Sequence, residues 1–266
     1  MPRHTTPRTP HPAPHFWWFT ALPLLFFLAL PLVALLWRTP LAEMGETLRR
    51  TGVGQAVRLS LWTSSVTVLL TFVLGTPVAY LLARPQFRCR NLLDTLIDLP
   101  TVLPPAVAGV ALLMAFGRRG LVGGILADWG VTLAFTPVAV IMAQLFVAGS
   151  LYVKSAAAGF ARIEKELEEA ARLDGAEEWA VFRYLLLPLS RGSLLTGLIL
   201  TWARALGEFG ATIIFAGNFP GRTQTMPLAI YLGFELDLNV ALVLAAILLC
   251  LSATTLIVVK KIIKPI

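Results

Sequence analysis

Residues 59–83 read LSLWTSSVTVLLTFVLGTPVAYLLA, a run of 25 residues without a single charge. About 20 mostly apolar residues are enough for a helix to cross the hydrocarbon core of a bilayer. Five further stretches have the same character, and they lie near 16–37, 96–117, 131–151, 192–216 and 238–259. The sequence therefore predicts an all-α polytopic membrane protein with about six transmembrane helices.

The overall composition supports a membrane location for most of the chain. Of the 266 residues, 57% are hydrophobic and only 14% are charged, whereas a soluble domain carries about 25% charged residues. Pro23, Pro77 and Pro137 fall inside or at the apolar stretches, and a membrane helix tolerates proline where neighbouring helices satisfy the freed backbone groups. We therefore expect one packed transmembrane domain over residues 16–264.

The first fifteen residues contain all three histidines and five prolines. This composition predicts a disordered cytoplasmic tail over 1–15. A cleaved signal peptide is the alternative, because arginines precede the apolar run at 16–37. That run exceeds the roughly 7–15 residues of a signal peptide's apolar region. We therefore expect the first helix to be retained.

The positions of histidine and cysteine argue against several kinds of chemistry. A Ser/His mechanism needs a histidine beside its nucleophile, yet every histidine precedes position 16. A histidine-ligated metal site is disfavoured for the same reason. Cys89 and Cys250 fall in a predicted loop and a predicted helix, which disfavours a disulfide framework. We predict no catalytic residue, no metal ligand and no enzyme activity in this chain.

Basic residues are distributed unequally between the two sides of the predicted bundle. Fourteen of the 22 lysines and arginines lie in segments on the N-terminal side, and seven lie on the other side. Because cytoplasmic loops carry the excess of Lys and Arg, this bias predicts that both termini are cytoplasmic. The net charge of +7 is therefore interpreted as a topology signal and not as nucleic-acid binding.

The largest predicted cytoplasmic segment, 152–191, has a helical pattern. Apolar residues recur at 163, 167, 170 and 171, which places them on one face of a helix. Glu168 and Arg172 are spaced for an ion pair, and Gly175 suits the left-handed position that ends a helix. A second helix is predicted over 176–186, stopped by Pro188. This helix–glycine–helix unit is a candidate docking surface.

The same segment resembles the EAA loop of ABC importer permeases, except that leucine stands where isoleucine is commonest. The matching residues are Glu169, Ala170, Ala171, Gly175, Leu185 and Pro188. The resemblance implies a type I importer permease bundle in the inner or plasma membrane, docked onto two copies of a separate ATPase subunit. No lysine in the chain follows a glycine, so a P-loop is absent from the sequence. ATP is expected on the partner, and no cofactor is expected on this chain.

The predicted fifth helix, 192–216, carries three stripes on a helical projection. Ala203, Gly207 and Ala211 form a small-residue ridge that favours close helix packing. The large apolar stripe consists of Ile199, Trp202, Leu206, Phe209 and Ile213. The polar stripe consists of Arg204, Glu208 and Thr212.

Charged residues at mid-membrane are functional candidates. Two readings remain: an Arg204–Glu208 pair that stabilises the bundle, or an arginine that attracts an anionic cargo.

Three segments resemble the molybdate and tungstate permeases, namely 103–109, 204–212 and 217–231. The resemblance implies a tetrahedral oxyanion as cargo, an extracytoplasmic oxyanion-binding protein and a second permease copy, with a homodimer expected. The implied candidate translocation path consists of Pro104, Pro105, Arg204, Glu208 and Thr212. The sulfate/thiosulfate permeases are the runner-up, but they usually have tyrosine where this chain has Phe209.

Transporters of another class are also considered. An ion-coupled secondary transporter often has an internal repeat with paired broken helices, and we find no such repeat in the sequence. The patterned cytoplasmic loop would also be unexplained. An ABC permease accounts for both the apolar stretches and the loop.

Overall fold

A computed structural model of the chain describes residues 15–84 and 89–263. Its regular elements are helical, and they are separated by short breaks. The α-helices are α1 His15–Arg38, α2 Met44–Arg49, α3 Thr51–Ala83, α4 Arg90–Val102, α5 Pro105–Phe116, α6 Gly123–Asp128, α7 Pro137–Ala161, α8 Lys165–Leu173, α9 Glu178–Ala180, α10 Leu187–Leu189, α11 Arg191–Leu206, α12 Gly210–Phe215, α13 Met226–Leu236 and α14 Leu238–Ile263. A 3-10 turn at Leu41–Glu43 and a π-helical stretch at Val181–Leu186 complete the order.

The chain divides into two compact units, Met1–Thr39 and Pro40–Ile266. In the first unit, α1 agrees with the helix predicted at 16–37 and contains Pro23 and Pro31. Residues 1–14 of the predicted tail lie outside the described residues. The fifteenth residue of that predicted tail begins α1.

Four helices are individually long and apolar enough to cross a membrane. They are Phe19–Arg38, Gly52–Ala83, Pro137–Ala161 and Leu238–Lys261. Two bent helix pairs bring the number of candidate spans to six when each pair counts as one span. The prediction of about six spans is therefore consistent with length and composition in the described residues.

Several predicted helix bounds are wrong. The second predicted helix begins at Thr51 instead of 59, so its first two turns include Gln55 and Arg58. The fourth is Pro137–Ala161 instead of 131–151. Its start is set by Thr136, whose hydroxyl accepts a hydrogen bond from the Ala139 N–H, and by proline at the first turn. The sixth extends to Ile263.

The second unit is built around α7, which packs against both α3 and α11. Small residues permit this approach: Gly75 of α3 and Gly197 of α11 both lie against Tyr152, which is fully buried. The Tyr152 and Thr76 hydroxyl oxygens are 2.6 Å apart. Polar bonds also join α3 and α7, because the Gln144 side chain accepts from Thr67 and donates to Thr63. These contacts hold α3 and α7 together, and the elements described next pack around this pair.

Candidate functional site

The predicted docking loop is shorter than 152–191, because α7 continues to Ala161. Lys154 accordingly lies in α7, where its ammonium group pairs with Asp94 and Asp98 of α4 at 2.5 and 2.8 Å. The segment that leaves the long helices therefore begins at Arg162. It reaches α11 at Arg191.

The turn after α8 has the geometry that the sequence predicts. Gly175 has φ +87° and no neighbouring atom within 4 Å of a Cβ built on it. Its N–H donates to the Arg172 carbonyl, and the Ala176 N–H donates to the Ala171 carbonyl. These two bonds form a Schellman motif, in which a left-handed residue ends the helix. The requirement for glycine at this position comes from the backbone and not from crowding.

The second half of the predicted hairpin differs from the prediction. Instead of one helix over 176–186, α9 leads into the π-helical stretch Val181–Leu186 and then α10. Pro188 lies within α10 and does not end the helical segment, which continues to Leu189. The segment Glu178–Leu189 and the next helix, which begins at Arg191, are related by a bend of 72°. In the π-helical stretch, backbone N–H groups donate to carbonyls five residues earlier. This pattern replaces the regular α-helical bonding that Pro188 opposes in the turn before it.

Most residues that match the EAA pattern face outward in the described structure. Glu169, Ala170, Gly175 and Pro188 are exposed, and Ala171 and Leu185 are half-buried. Large apolar side chains beside them are also exposed. The most exposed are Leu173 at 89%, Tyr184 at 75% and Trp179 at 66%. An exposed apolar surface of this kind is typical of a protein–protein contact.

The predicted ion pair between Glu168 and Arg172 is present at 3.9 Å, but Glu168 has a closer arginine partner that the sequence analysis did not predict. Its side chain is only 4% exposed, and its two carboxylate oxygens accept hydrogen bonds from Arg84 at 2.8 and 2.7 Å. The predicted partner, Arg172, is 3.9 Å from Glu168 and lies closer to Glu178, at 2.9 Å. A bidentate pair of this kind is strong and directional. It connects the end of α3 to α8.

Arg84 is held by more than this carboxylate. Its guanidinium lies 4.5 Å from the centre of the Tyr80 ring, a cation–π contact. Burial lowers the pKa of Arg84, but the hydrogen bonds to Glu168, together with the charge of Glu168 and the interactions with Tyr80, raise that pKa above its ordinary value. The arginine therefore remains charged. The only sequence signal for this contact is a lone arginine at the end of an apolar stretch.

The third predicted helix, 96–117, is wrong as a single helix. The structure has α4 and α5 instead, related by a bend of 116°. The break contains Leu103 and Pro104, both with extended ψ angles, of 136° and 135°. Each of them precedes a proline, and a proline disfavours the α conformation in the residue before it.

The fifth predicted helix, 192–216, is also broken. Helix α11 ends at Leu206 and α12 begins at Gly210. Glu208 lies in the break, and its carboxylate accepts the Ala211 N–H at 2.9 Å, which satisfies a free donor at the start of α12. The second carboxylate oxygen lies 3.0 Å from the Arg204 guanidinium. The predicted Arg204–Glu208 pair is therefore present.

The polar and apolar stripes predicted along 199–213 are wrong beyond the break, since they assume one continuous helix. Leu206, the last residue of α11 and a member of the large apolar stripe, is 1% exposed and so packs against other protein residues. Thr212 lies on α12, away from the helix of Arg204. It is buried, and its hydroxyl has no hydrogen-bond partner within the described residues. Arg204 is 39% exposed and Glu208 is 2% exposed at the side chain.

The break between α4 and α5 lies against the break between α11 and α12. A Cβ built on Gly210 would overlap the Pro105 Cβ, and one on Gly109 would lie 2.9 Å from the Ala211 carbonyl oxygen. Helices α5 and α12 therefore pack backbone to backbone. Pro104 and Pro105 are exposed beside this contact. Four of the five candidate path residues thus flank one junction, and Thr212 is buried within α12.

Two solved structures with a similar fold are ABC transporters. The chain aligns with a bacterial alginate ABC transporter in complex with its pentasaccharide-bound periplasmic protein at a TM-score of 0.72, with 17% identity, over 93% of this chain and 91% of that one. The MetNI methionine ABC transporter aligns at 0.60, with 20% identity, over 79% and 94%. These alignments show that the chain has a fold found in ABC transporters.

Residues 75–263 match the family of binding-protein-dependent transport system inner membrane components, and the chain belongs to that family. The probable transport system permease protein NifC of Clostridium pasteurianum is 37% identical over 91% of this chain and 86% of its own length. The molybdenum transport system permease protein ModB of Escherichia coli K12 is 44% identical over 66% and 78%. A probable sulfate transport system permease protein, cysT of Marchantia polymorpha, is 32% identical over 89% and 84%.

Proposed function

We propose that this permease subunit imports a tetrahedral oxyanion, with molybdate or tungstate as the cargo. The observation that carries the proposal is the 44% identity over 178 residues to a molybdenum transport permease. The sulfate relative aligns over a longer stretch but at 32% identity. Two of the three segments that resemble molybdate permeases, 103–109 and 204–212, also form the junction of the two broken helices.

The proposal includes a separate ATPase subunit in two copies, a second permease copy and an extracytoplasmic oxyanion-binding protein. The docking segment at 162–190 supports the ATPase contact, since its exposed apolar residues flank the matched EAA residues. ATP is hydrolysed on the partner in this scheme. Nucleotide-driven closure of the two ATPase subunits moves α8, and the bidentate Arg84–Glu168 bond transmits that movement to α3.

Charge at the junction of the broken helices suits transient passage of a dianion. Glu208 compensates Arg204, so the pair adds little net charge beside the path. A cargo would then meet backbone N–H groups and few fixed charges, which avoids tight binding. Selectivity would reside mainly in the external binding protein.

The test is uptake of labelled molybdate by proteoliposomes that contain the permease, its ATPase and the oxyanion-binding protein. We expect uptake with ATP and none with ADP, and we expect tungstate to compete at lower concentration than sulfate. Preferential uptake of sulfate would contradict molybdate or tungstate as the cargo and would identify the protein as a sulfate permease. Uptake that survives ATP depletion while an ion gradient is kept would indicate a secondary transporter.

The proposed location is the inner or plasma membrane, with both termini cytoplasmic. Cysteine labelling tests this orientation in a variant that lacks Cys89 and Cys250, which are both exposed. A cysteine at Arg222 should react with an impermeant reagent added outside, and one at Glu177 should not. Gly221 is a poor choice for the outer cysteine, because it has φ +74° and its Cβ would lie 2.9 Å from Gln55 Oε1. The opposite labelling pattern would invert the topology.

A further inference from the structure

The loop after α5 carries two adjacent arginines, Arg118 and Arg119, beside a cavity of about 590 Å³. The lining is completed by Gly124, Ala127 and Asp128, and it is mostly polar. None of these residues belongs to the docking segment or to the junction of the broken helices. The loop lies in a segment that the charge bias places outside the cell.

The loop backbone is held close against the end of α5. The Leu121 N–H donates to the Met114 carbonyl at 3.1 Å, and the Val122 N–H donates to the Ala115 carbonyl at 2.8 Å. Three glycines make this approach possible. A Cβ at Gly117, Gly120 or Gly123 would collide with the backbone carbonyl of another residue. The arginines are therefore presented by a tightly constrained turn and not by a loose loop.

Both guanidinium groups are available to a ligand. Within residues 15–84 and 89–263, neither Arg118 nor Arg119 makes an ion pair, and both are exposed. Asp128 is the single acidic residue of the lining, so the cavity has a net charge of about +1. Arginine presents a planar fork of N–H donors that matches the oxygens of an oxyanion. A positively charged cleft also raises the local concentration of anions.

We propose that Arg118 and Arg119 form an entry site for a tetrahedral oxyanion, at which the anion is held after it leaves the binding protein. This inference rests on the proposed function, which supplies both the cargo and the outer location of the loop. The site binds weakly and reversibly, because one carboxylate offsets part of the charge and because the cavity is open to solvent. Salt should therefore weaken binding strongly.

The experiment measures equilibrium binding of labelled molybdate to the purified permease, at low salt and without the binding protein. Arg118→Gln/Arg119→Gln should weaken binding at least tenfold. Arg118→Lys/Arg119→Lys should retain part of the affinity, since the charge stays but the fork is lost. Asp128→Asn should strengthen binding. Arg49→Gln is the matched control, because Arg49 is an exposed arginine of α2 outside the cavity.

Transport by the same variants separates this inference from the proposed function. If the wild type moves molybdate but does not bind it alone, or if Arg118→Gln/Arg119→Gln binds as well as Arg49→Gln, the entry site is rejected and the cargo assignment stands. If the wild type fails to move molybdate, the proposed function is rejected. If the double variant keeps its molybdate affinity but loses association with both the empty and the loaded binding protein, the loop is a protein-docking surface and the entry site is again overturned.

Discussion

Two buried glutamates, Glu168 and Glu208, are held by arginine in different ways. Glu168 receives two hydrogen bonds from Arg84, which lies 84 residues away in sequence, at the end of α3. Glu208 receives one hydrogen bond from Arg204, four residues earlier, and one from the Ala211 N–H. The side chains are 4% and 2% exposed. The two glutamates are similarly buried and both pair with arginine, but Glu168 makes a contact that is long-range in sequence and Glu208 makes a local one.

The difference concerns what each carboxylate connects. Glu168 joins the docking helix α8 to the main frame, so movement of α8 is transmitted to another element. Glu208 joins two halves of one broken span, so it stabilises a local turn. Removal of the first should disconnect the docking segment from the bundle, and removal of the second should distort the junction near the path.

Arg84→Gln should have the largest effect of the variants considered. It leaves the buried Glu168 carboxylate without its guanidinium, and removal of one partner from a buried ion pair costs about 3–5 kcal/mol. We expect a lower melting temperature in detergent and loss of molybdate uptake while ATP hydrolysis by the docked ATPase persists. Arg84→Gln/Glu168→Gln should recover part of both. Arg172→Gln is the control, since Arg172 is 3.9 Å from the same carboxylate; an equal defect there would reject the special role of Arg84.

Arg204→Gln should have the next largest effect. It leaves the Glu208 carboxylate with only the Ala211 N–H, and a hydrogen bond to a charged group contributes about 1.5–3 kcal/mol. Glu208→Gln should be milder, because the amide oxygen still accepts from Ala211 and the Arg204 side chain is 39% exposed. Uptake at matched membrane levels is the measurement.

The double variant Arg204→Gln/Glu208→Gln decides between the two roles of Arg204. Recovery of uptake relative to Arg204→Gln supports a structural pair. Uptake as low as in the single variant would make Arg204 a residue of the translocation path.

Gly210→Ala should disturb the junction of the broken helices. The added Cβ overlaps the Pro105 Cβ, and overpacking typically costs about 1–3 kcal/mol. Gly207→Ala is the matched control three residues away, because its Cβ would have no neighbour closer than 3.8 Å. Thermal stability and uptake should fall for Gly210→Ala and change little for Gly207→Ala. Equal behaviour of the two variants would contradict the contact between α5 and α12.

Gly175→Val should have the smallest effect on stability, about 1–2 kcal/mol, which is the cost of a left-handed backbone for a residue with a side chain. The turn is exposed, so the bundle should still insert. Co-purification with the ATPase should weaken, since the turn orients α8. Gly175→Asn should be tolerated, because asparagine visits the left-handed region. Full association and transport by Gly175→Val would show that the ATPase does not require this turn.

The sequence by itself determined the features that depend on local composition and spacing. Long apolar runs predict membrane helices because the bilayer excludes unpaired polar groups. Gly175 predicts a left-handed helix end, and the spacing of Arg204 and Glu208 predicts an ion pair. Each of these properties depends on residues that are close together in the chain, so the pattern alone contains the necessary information.

The tertiary structure decided the features that depend on residues far apart in the chain. The contact of Gly210 with Pro105 joins two helix breaks that the apolar pattern runs through without interruption. Helix α13 was not predicted: at 11 residues it is too short for a span, and its first N–H donates to Ser60 of α3 at 2.7 Å. The nearby Arg172 lies 3.9 Å from Glu168, as its spacing predicts, but the closer and bidentate partner is Arg84. Packing brings that arginine to the buried carboxylate across a long distance in sequence.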